Sequence, residues 1–173
     1  MTIRVRDIRP TEHAALGEVS VAAYRTVGGD SYPGYLAFIR DVAARAAVCP
    51  VLVAVDEGGR ILGGVTYVPG PGTPYSETEV EGEAGFRMLA VDPAARGRGV
   101  GGALVRACIE RARSDGRTRL VLLTTRQMAI AQRLYASLGF RRAPARDWEV
   151  EPGLTLLGYE LDLDSAATPA RPA

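Results

Sequence analysis

Residues 86–104, Phe-Arg-Met-Leu-Ala-Val-Asp-Pro-Ala-Ala-Arg-Gly-Arg-Gly-Val-Gly-Gly-Ala-Leu, carry the most legible chemistry in the chain. An apolar run from Phe86 to Val91 stops at Asp92-Pro93, and a basic, glycine-rich loop follows. From Gly99 the pattern turns helical, with Val100, Leu104, Ala107 and Cys108 on one face. Strand, loop and helix in that order make an anion site, because the first turn of a helix presents unpaired N–H groups and a partial positive charge. Gly97, Gly99, Gly101 and Gly102 remove the side chains that would hold a phosphate off this backbone, and Arg96 and Arg98 add charge-assisted donors.

Two nucleotide readings meet obstacles. A P-loop ends in Lys followed by Ser or Thr, and the chain has no Lys. Gly97-x-Gly99-x-x-Gly102 does spell a dinucleotide fingerprint. That fingerprint joins its strand directly to the first glycine and places an acid about 20 residues later. Here residues 92–96 intervene, and Leu120-Val-Leu-Leu-Thr-Thr125 holds no acid. Nicotinamide-dinucleotide binding therefore rests on glycine spacing alone.

The bulk properties set the frame. With 173 residues the chain suits one domain with a sizeable core. Its net charge of +1 supplies no long-range field, so neither nucleic acid nor a membrane is expected as a partner. The longest apolar stretch, Val48 to Val55, is too short to span a bilayer and contains Pro50, and the N-terminus lacks an apolar signal core. A soluble, cytoplasmic protein is the expectation. Cys49 and Cys108 show no metal-ligand spacing, so no metal is expected, and Cys108 reads as a buried, inert thiol.

The elements that would position the loop follow from periodicity. Ile3 and Val5 alternate with arginines as a first strand, and Thr11 N-caps a helix carrying Leu16, Val19 and Ala23. His13 reads as a surface residue of its first turn. A second helix spans Tyr35 to Ala47; Tyr24, Tyr32 and Tyr35 flank the loop before it and either line a pocket or cover the core edge. Val51–Val55 and Ile61–Val68 form a hairpin around Asp56–Arg60. In the connector that follows, Glu77, Glu79, Glu81 and Glu83 recur every second residue, which gives an acidic row if extended, or a solvated edge. Leu120–Leu123 completes a strand–helix–strand unit whose two strands should be parallel. Thr124-x-x-Gln127 matches a capping box for a helix with Met128, Ala131, Leu134, Tyr135 and Leu138 on one side, closed by Gly139. Phe140 opens another strand, and Leu157, Tyr159, Leu161 and Leu163 mark the last.

On these elements, Arg96-Gly-Arg-Gly-Val-Gly101 resembles the Arg/Gln-x-x-Gly-x-Gly/Ala loop with which the GNAT (GCN5-related) N-acetyltransferases bind the pyrophosphate of coenzyme A. Ala131-x-x-Leu-Tyr-x-x-x-Gly-Phe140 is similar to the family's second motif and lies at the usual distance. The resemblance covers residues 1 to about 163, is sharpest from Phe86 to Phe140 and is weakest before Val51. It implies an α/β GNAT domain over residues 1–163: a mixed, mostly antiparallel sheet with splayed central parallel strands, flanked by about four helices. Residues 164–173, small, polar and proline-bearing, are expected to form a disordered tail.

The resemblance also implies chemistry. Acetyl-coenzyme A would be the cosubstrate, with its pantetheine arm beside Leu89, Ala90 and Val91. Its pyrophosphate would sit on Arg96, Gly97, Arg98, Gly99, Val100 and Gly101, with Gly102 and Ala103 in the first helical turn, and Ala131 belongs to the second coenzyme-binding motif. The acetyl group would pass to a primary amine, on a small molecule or a peptide, by direct attack in a ternary complex. The Leu89 N–H is the candidate oxyanion donor. Tyr135 aligns with the family's general-acid tyrosine, at a position that a packing residue would also take. Many members carry a basic Glu near the place of Gly85; Glu83, two residues earlier on the same face, is the stand-in here. Met128 replaces a frequent Asn. Arg146-Asp-Trp148 shapes the acceptor mouth, contacts a second copy in a homodimer, or is a salt-bridged turn. A domain that senses coenzyme A without turnover is the alternative from another class.

Overall fold

Along β2 (Val51–Val55) successive side chains leave opposite faces of the sheet. Leu52 and Ala54 join one core, while Val51, Val53 and Val55 join another. A strand buried on both faces lies inside a sheet with helices on either side. The computed structural model describes residues 2–163, and the tail expected at residues 164–173 lies outside them. The other strands are β1 (Arg4–Asp7), β3 (Ile61–Val68), β4 (Glu83–Val91), β5 (Arg119–Thr124), β6 (Arg141–Arg142), β7 (Trp148–Glu151) and β8 (Leu154–Asp162). They run in the order β1-β2-β3-β4-β5-β8-β6, with β7 on β8, and every pairing is antiparallel except β4 with β5. This is the mixed, mostly antiparallel α/β architecture expected.

Helices α4 (Val100–Ser114) and α5 (Ala129–Ser137) cover one face, where Val100, Leu104, Cys108 and Tyr135 pack with Leu52, Phe86 and Leu120. The other face is covered by α1 (His13–Arg25), α2 (Tyr35–Arg40) and α3 (Val42–Ala46). The described residues thus hold five α-helices, where about four were expected. The expected Tyr35–Ala47 helix breaks at Asp41, whose backbone leaves the helical region and whose carboxylate accepts from the Ala44 N–H at 3.0 Å to start α3. Among the described residues no helix is long and apolar enough to cross a membrane.

Several local expectations are corrected. Thr11 is not an N-cap: Pro10–Glu12 forms a 3-10 turn, and Glu12 accepts from the Arg9 N–H (2.9 Å) and pairs with Arg6 (2.6 Å). The Thr124–Gln127 capping box does not form. Thr124 ends β5, Met128 precedes α5, and Gln132 donates to the Thr125 carbonyl at 2.8 Å. The glutamates after residue 76 make no extended row, because the chain turns at Val80–Gly82 and only Glu83 enters β4. Strand β7, in which Trp148 and Val150 alternate with Glu149 and Glu151, was not among the expected strands. Gly139 behaves as expected: at φ 92° it closes α5, with its own N–H on the Ala136 carbonyl and that of Phe140 on Tyr135.

Two features of β4 matter for function. The register pairs Thr66 with Arg87 and Gly64 with Ala90, so Met88 and Leu89 together face one residue of β3. This bulge puts Met88 at φ 55°, the one non-glycine residue with positive φ among those described, and inverts the strand's parity. Ala84 and Phe86 face α4 and α5 before it; Leu89 and Val91 do so after it. At the other end, Glu83 is 3% exposed. Its Oε2 accepts from Arg146 Nη1 at 3.0 Å and from the Val80 N–H at 3.1 Å, while Oε1 takes Arg146 Nη2 and, at 3.4 Å, Arg119. Arg146 and Arg119 continue to Glu160 and Asp162.

Removing one member of so enclosed an ion pair strands the other. Glu83→Gln should lower unfolding stability by about 3 kcal/mol, seen as a lower urea midpoint, and Glu83→Leu with Arg146→Met should recover most of the loss. Full stability of the single variant would refute the clamp.

Candidate active site

The β4–β5 ladder is short. Glu83, Ala84 and Gly85 pair with Arg119, Leu120 and Val121, and there it ends, although β4 continues to Val91 and β5 to Thr124. Beyond Gly85 the strands diverge around a small cavity of about 100 Å³ lined by Met88, Leu89, Leu123, Thr124, Ala131 and Tyr135. The bulge leaves Leu89 without a register partner on β3, and Leu89 lines this opening. Ala90 is buried on the α1 face, and Val91 packs toward α4.

The glycine loop follows β4 in the chain. Asp92 accepts from the Ala94 N–H at 2.9 Å and pairs with Arg60 at 2.7 Å, which fixes the exit of β4. Arg96 donates to Thr26 Oγ1 at 2.6 Å, so it ties the loop to the end of α1 rather than simply projecting from it. Gly97 and Gly99 adopt φ 74° and 82°, and a Cβ on either would meet nothing within 4 Å. Glycine is required there by conformation, not by space. Arg98 is exposed between them. Helix α4 begins behind Gly99, which has no side chain to cap the N–H groups of its first turn, Val100 to Gly102. Val100 is itself buried and offers only backbone, Ala103 is half-buried, and Gly101 permits close packing against Leu134. An open loop on an uncapped helix N-terminus fits a pyrophosphate.

Tyr135, 5% exposed, reaches the opening from α5. Its ring meets Phe86, Phe140 and Tyr159 at centroid distances of 5.8, 5.9 and 6.0 Å. Burial pushes its hydroxyl well above the ordinary tyrosine range, so it keeps its proton at neutral pH. Met128, which Thr124 Oγ1 approaches at 3.4 Å, also lines the opening.

The small cavity leads into a larger one of about 750 Å³, walled by Tyr32, Tyr35, Phe38, Trp148 and Leu156. Tyr24, Tyr35, Glu77, Arg87, Thr125, Met128 and Leu156 line both. Of the three tyrosines flagged by sequence, all face this space. Trp148 shapes the mouth, while Arg146 belongs to the ion-pair clamp.

Glu83 is not brought to the site. It lines neither cavity, and both its oxygens face guanidinium groups at the closed end of the strand pair. The acid at the junction of the two cavities is Glu77, which pairs with Arg87 at 2.6 Å and whose side chain is 13% exposed. Burial raises its carboxyl above the ordinary range, with Arg87 pulling the other way and Glu79 adding to the rise. Glu79 itself accepts from the Glu77 N–H at 2.6 Å, and its Oε1 occupies the space that a side chain on Gly85 would need. The sequence held one signal for this pair: Arg87 is the single charge inside the apolar run Phe86–Val91.

Similarities to known proteins agree with this geometry. Residues 13–140 match the acetyltransferase (GNAT) family. A GCN5-related N-acetyltransferase from Kribbella flavida superposes with a TM-score of 0.69 at 25% identity, over 93% of this chain and 98% of that one. A GNAT family acetyltransferase from Brucella melitensis, solved in complex with acetyl-CoA, gives a TM-score of 0.62 at 24% identity, over 99% and 92% of the two chains. N-acetylaspartate synthetase of Rattus norvegicus is 43% identical over 68 residues, which are 39% of this chain and 23% of that protein. The match thus spans less than a quarter of this curated relative. A splayed parallel strand pair, an open glycine loop at a helix N-terminus and a family match over most of its length make this chain a member of the GNAT acetyltransferase family.

Proposed function

We propose that the protein transfers an acetyl group from acetyl-coenzyme A to a primary amine within a ternary complex. The observation that carries this reading is continuity. One path runs from the opening between β4 and β5, whose first strand leads in the chain to the glycine loop, to a cavity whose neck holds a half-buried carboxylate. The loop and the first turn of α4 would hold the pyrophosphate, and the unpaired edge of β4 would take the pantetheine amides as an added strand does. This brings the thioester to Leu89 and Tyr135.

The amine nitrogen bonds to the thioester carbonyl carbon, and the C–S bond breaks as the tetrahedral intermediate collapses. The Leu89 N–H would stabilise the oxyanion. Tyr135 would give a proton to the departing sulfur. An alkyl ammonium, of pKa about 10.4, must first lose a proton. Glu77, at the neck, takes the role that sequence had given to Glu83. Direct attack is supported by the position of the thiols: neither cavity wall contains a cysteine, and burial pushes the Cys108 thiol up.

Thermal unfolding with coenzyme A, acetyl-coenzyme A and NAD tests the loop first. Ligand at 100 times its dissociation constant should add about 2.7 kcal/mol of stability. A shift with either coenzyme A species and none with NAD is the expected result; a shift with NAD alone would sink the reading. Tyr135→Phe keeps the ring and loses the proton, so kcat should fall by about 10²-fold at unchanged Tm. Unchanged turnover would leave Tyr135 a packing residue. Glu77 acts deprotonated, so kcat/KM should rise with pH through a pKa above the ordinary glutamate value of about 4.3. In Glu77→Gln that limb should vanish, and its persistence would assign the base elsewhere.

A further inference from the structure

Resting on the acetyl-transfer reading, we infer that the acceptor is a free α-amino acid with an apolar side chain, its carboxylate held by Arg87 and its amine received by Glu77. At the neck shared by the two cavities, these are the two charged side chains, and they touch each other at 2.6 Å. The rest of the neck is Tyr24, Tyr35, Thr125, Met128 and Leu156. Opposite charges are thus presented side by side where the amine must meet the thioester.

Each simpler acceptor leaves one of these charges worse off. A plain alkylamine would engage Glu77 and leave Arg87, 25% exposed, with a competing cation beside it. A peptide N-terminus brings an amide where Arg87 calls for an anion. An α-amino acid carries its ammonium and carboxylate on one carbon, so both ends of the pair exchange one partner for another without leaving a buried charge alone. Arg87 has the geometry for this. One Nη donates to the Tyr75 carbonyl at 3.3 Å and the other holds Glu77, so the group is oriented and keeps further N–H donors for a carboxylate. Beyond the neck, the larger cavity is walled mainly by Tyr32, Phe38, Trp148, Val150 and Leu154, with Glu151 the one charged side chain there, an acid that would repel an anionic substituent. These rings and aliphatic groups suit an apolar side chain rather than a second charge. Tyr32, Phe38, Trp148 and Val150 are also 38–48% exposed, as the rim of an open mouth would be.

The test is thiol release from saturating acetyl-coenzyme A by the full chain. The panel is phenylalanine, leucine, aspartate, phenylalaninamide, phenethylamine and a dipeptide beginning with phenylalanine. Phenylalanine and leucine should exceed the amide, the amine and the dipeptide in kcat/KM by at least about 10²-fold, because the rejected compounds leave Arg87 unpaired. Both should also exceed aspartate. In Arg87→Gln the ratio of phenylalanine to its amide should collapse to within about tenfold, and Arg87→Lys should retain part of it. The ratio within one variant is read, so a general loss of activity or stability does not mimic the effect.

Turnover of amide or amine equal to that of phenylalanine, or a ratio unmoved in Arg87→Gln, would overturn this acceptor assignment and leave acetyl transfer standing. Preference for aspartate over leucine would overturn the apolar side chain. Release from no member of the panel, by protein that coenzyme A stabilises thermally, would overturn the acceptor assignment and leave acetyl transfer to a different amine standing.

Discussion

β4 and β5 hydrogen-bond to each other at three residue pairs and then part, because each is held harder by its other neighbour. β5 remains in register with β8 from Arg119 to Thr124. β4 remains with β3, but the bulge at Met88 and Leu89 bends it and reverses which side chains face α4. Between the diverging ends stands α5, with Tyr135 wedged among Phe86, Phe140 and Tyr159. Aromatic rings of this size, packed at steep angles to one another, resist closure, so the opening is set by the core and not by what enters it. Such an opening exposes backbone N–H and C=O groups inside a domain, where a protein ordinarily leaves few unpaired. A ligand with amides of its own resolves that state.

The opposite end of the same strand pair shows what holds it shut. Glu83 and Arg146 lie buried together, with Arg119 and Glu160 beside them. The cluster joins β4, β5, β8 and the segment before β7 at one point. Desolvating several charges is costly, and the geometry must be good to offset it. Here each oxygen of Glu83 has more than one donor. A clamp at one end and a wedge at the other convert a continuous ladder into a fork.

Sequence made the fork's position legible, since the motif from Phe86 to Leu104 and the Tyr135 helix are local patterns whose periodicity shows directly. It also located most strands, because β2 and β3 are short apolar runs on either side of a turn and β8 alternates. What escaped it depended on contacts distant in the chain. The break at Asp41 answers to packing of α2 on α1 and of α3 against the sheet, neither visible in a continuous helical pattern. Arg96, expected at the pyrophosphate, also reaches Thr26 at the end of α1, a contact no local pattern reveals. Gly63 and Gly64 carried no signal at all. A Cβ on the first would strike the Ala90 carbonyl, and one on the second would strike Leu16, so both glycines record close approach from elements read separately.

The glutamates make the same point in chemical terms. Glu77, Glu79 and Glu83 share a residue type and an even spacing, and an extended chain would give them one environment. The turn at Val80–Gly82, with Gly82 at φ 84° and the Glu83 N–H on the Val80 carbonyl, separates them. Glu83 is carried to two guanidinium groups and a backbone N–H, which occupy both its oxygens and leave none to accept a proton from a substrate. Glu79 fills the void beside Gly85. Glu77 stays at the neck of the cavities with a single guanidinium partner. A carboxylate already saturated with donors is structural, however well its sequence position suits catalysis. One that is desolvated, singly paired and open to a cavity can exchange its partner for an incoming cation. The role of an acid in this fold follows from how many donors reach it.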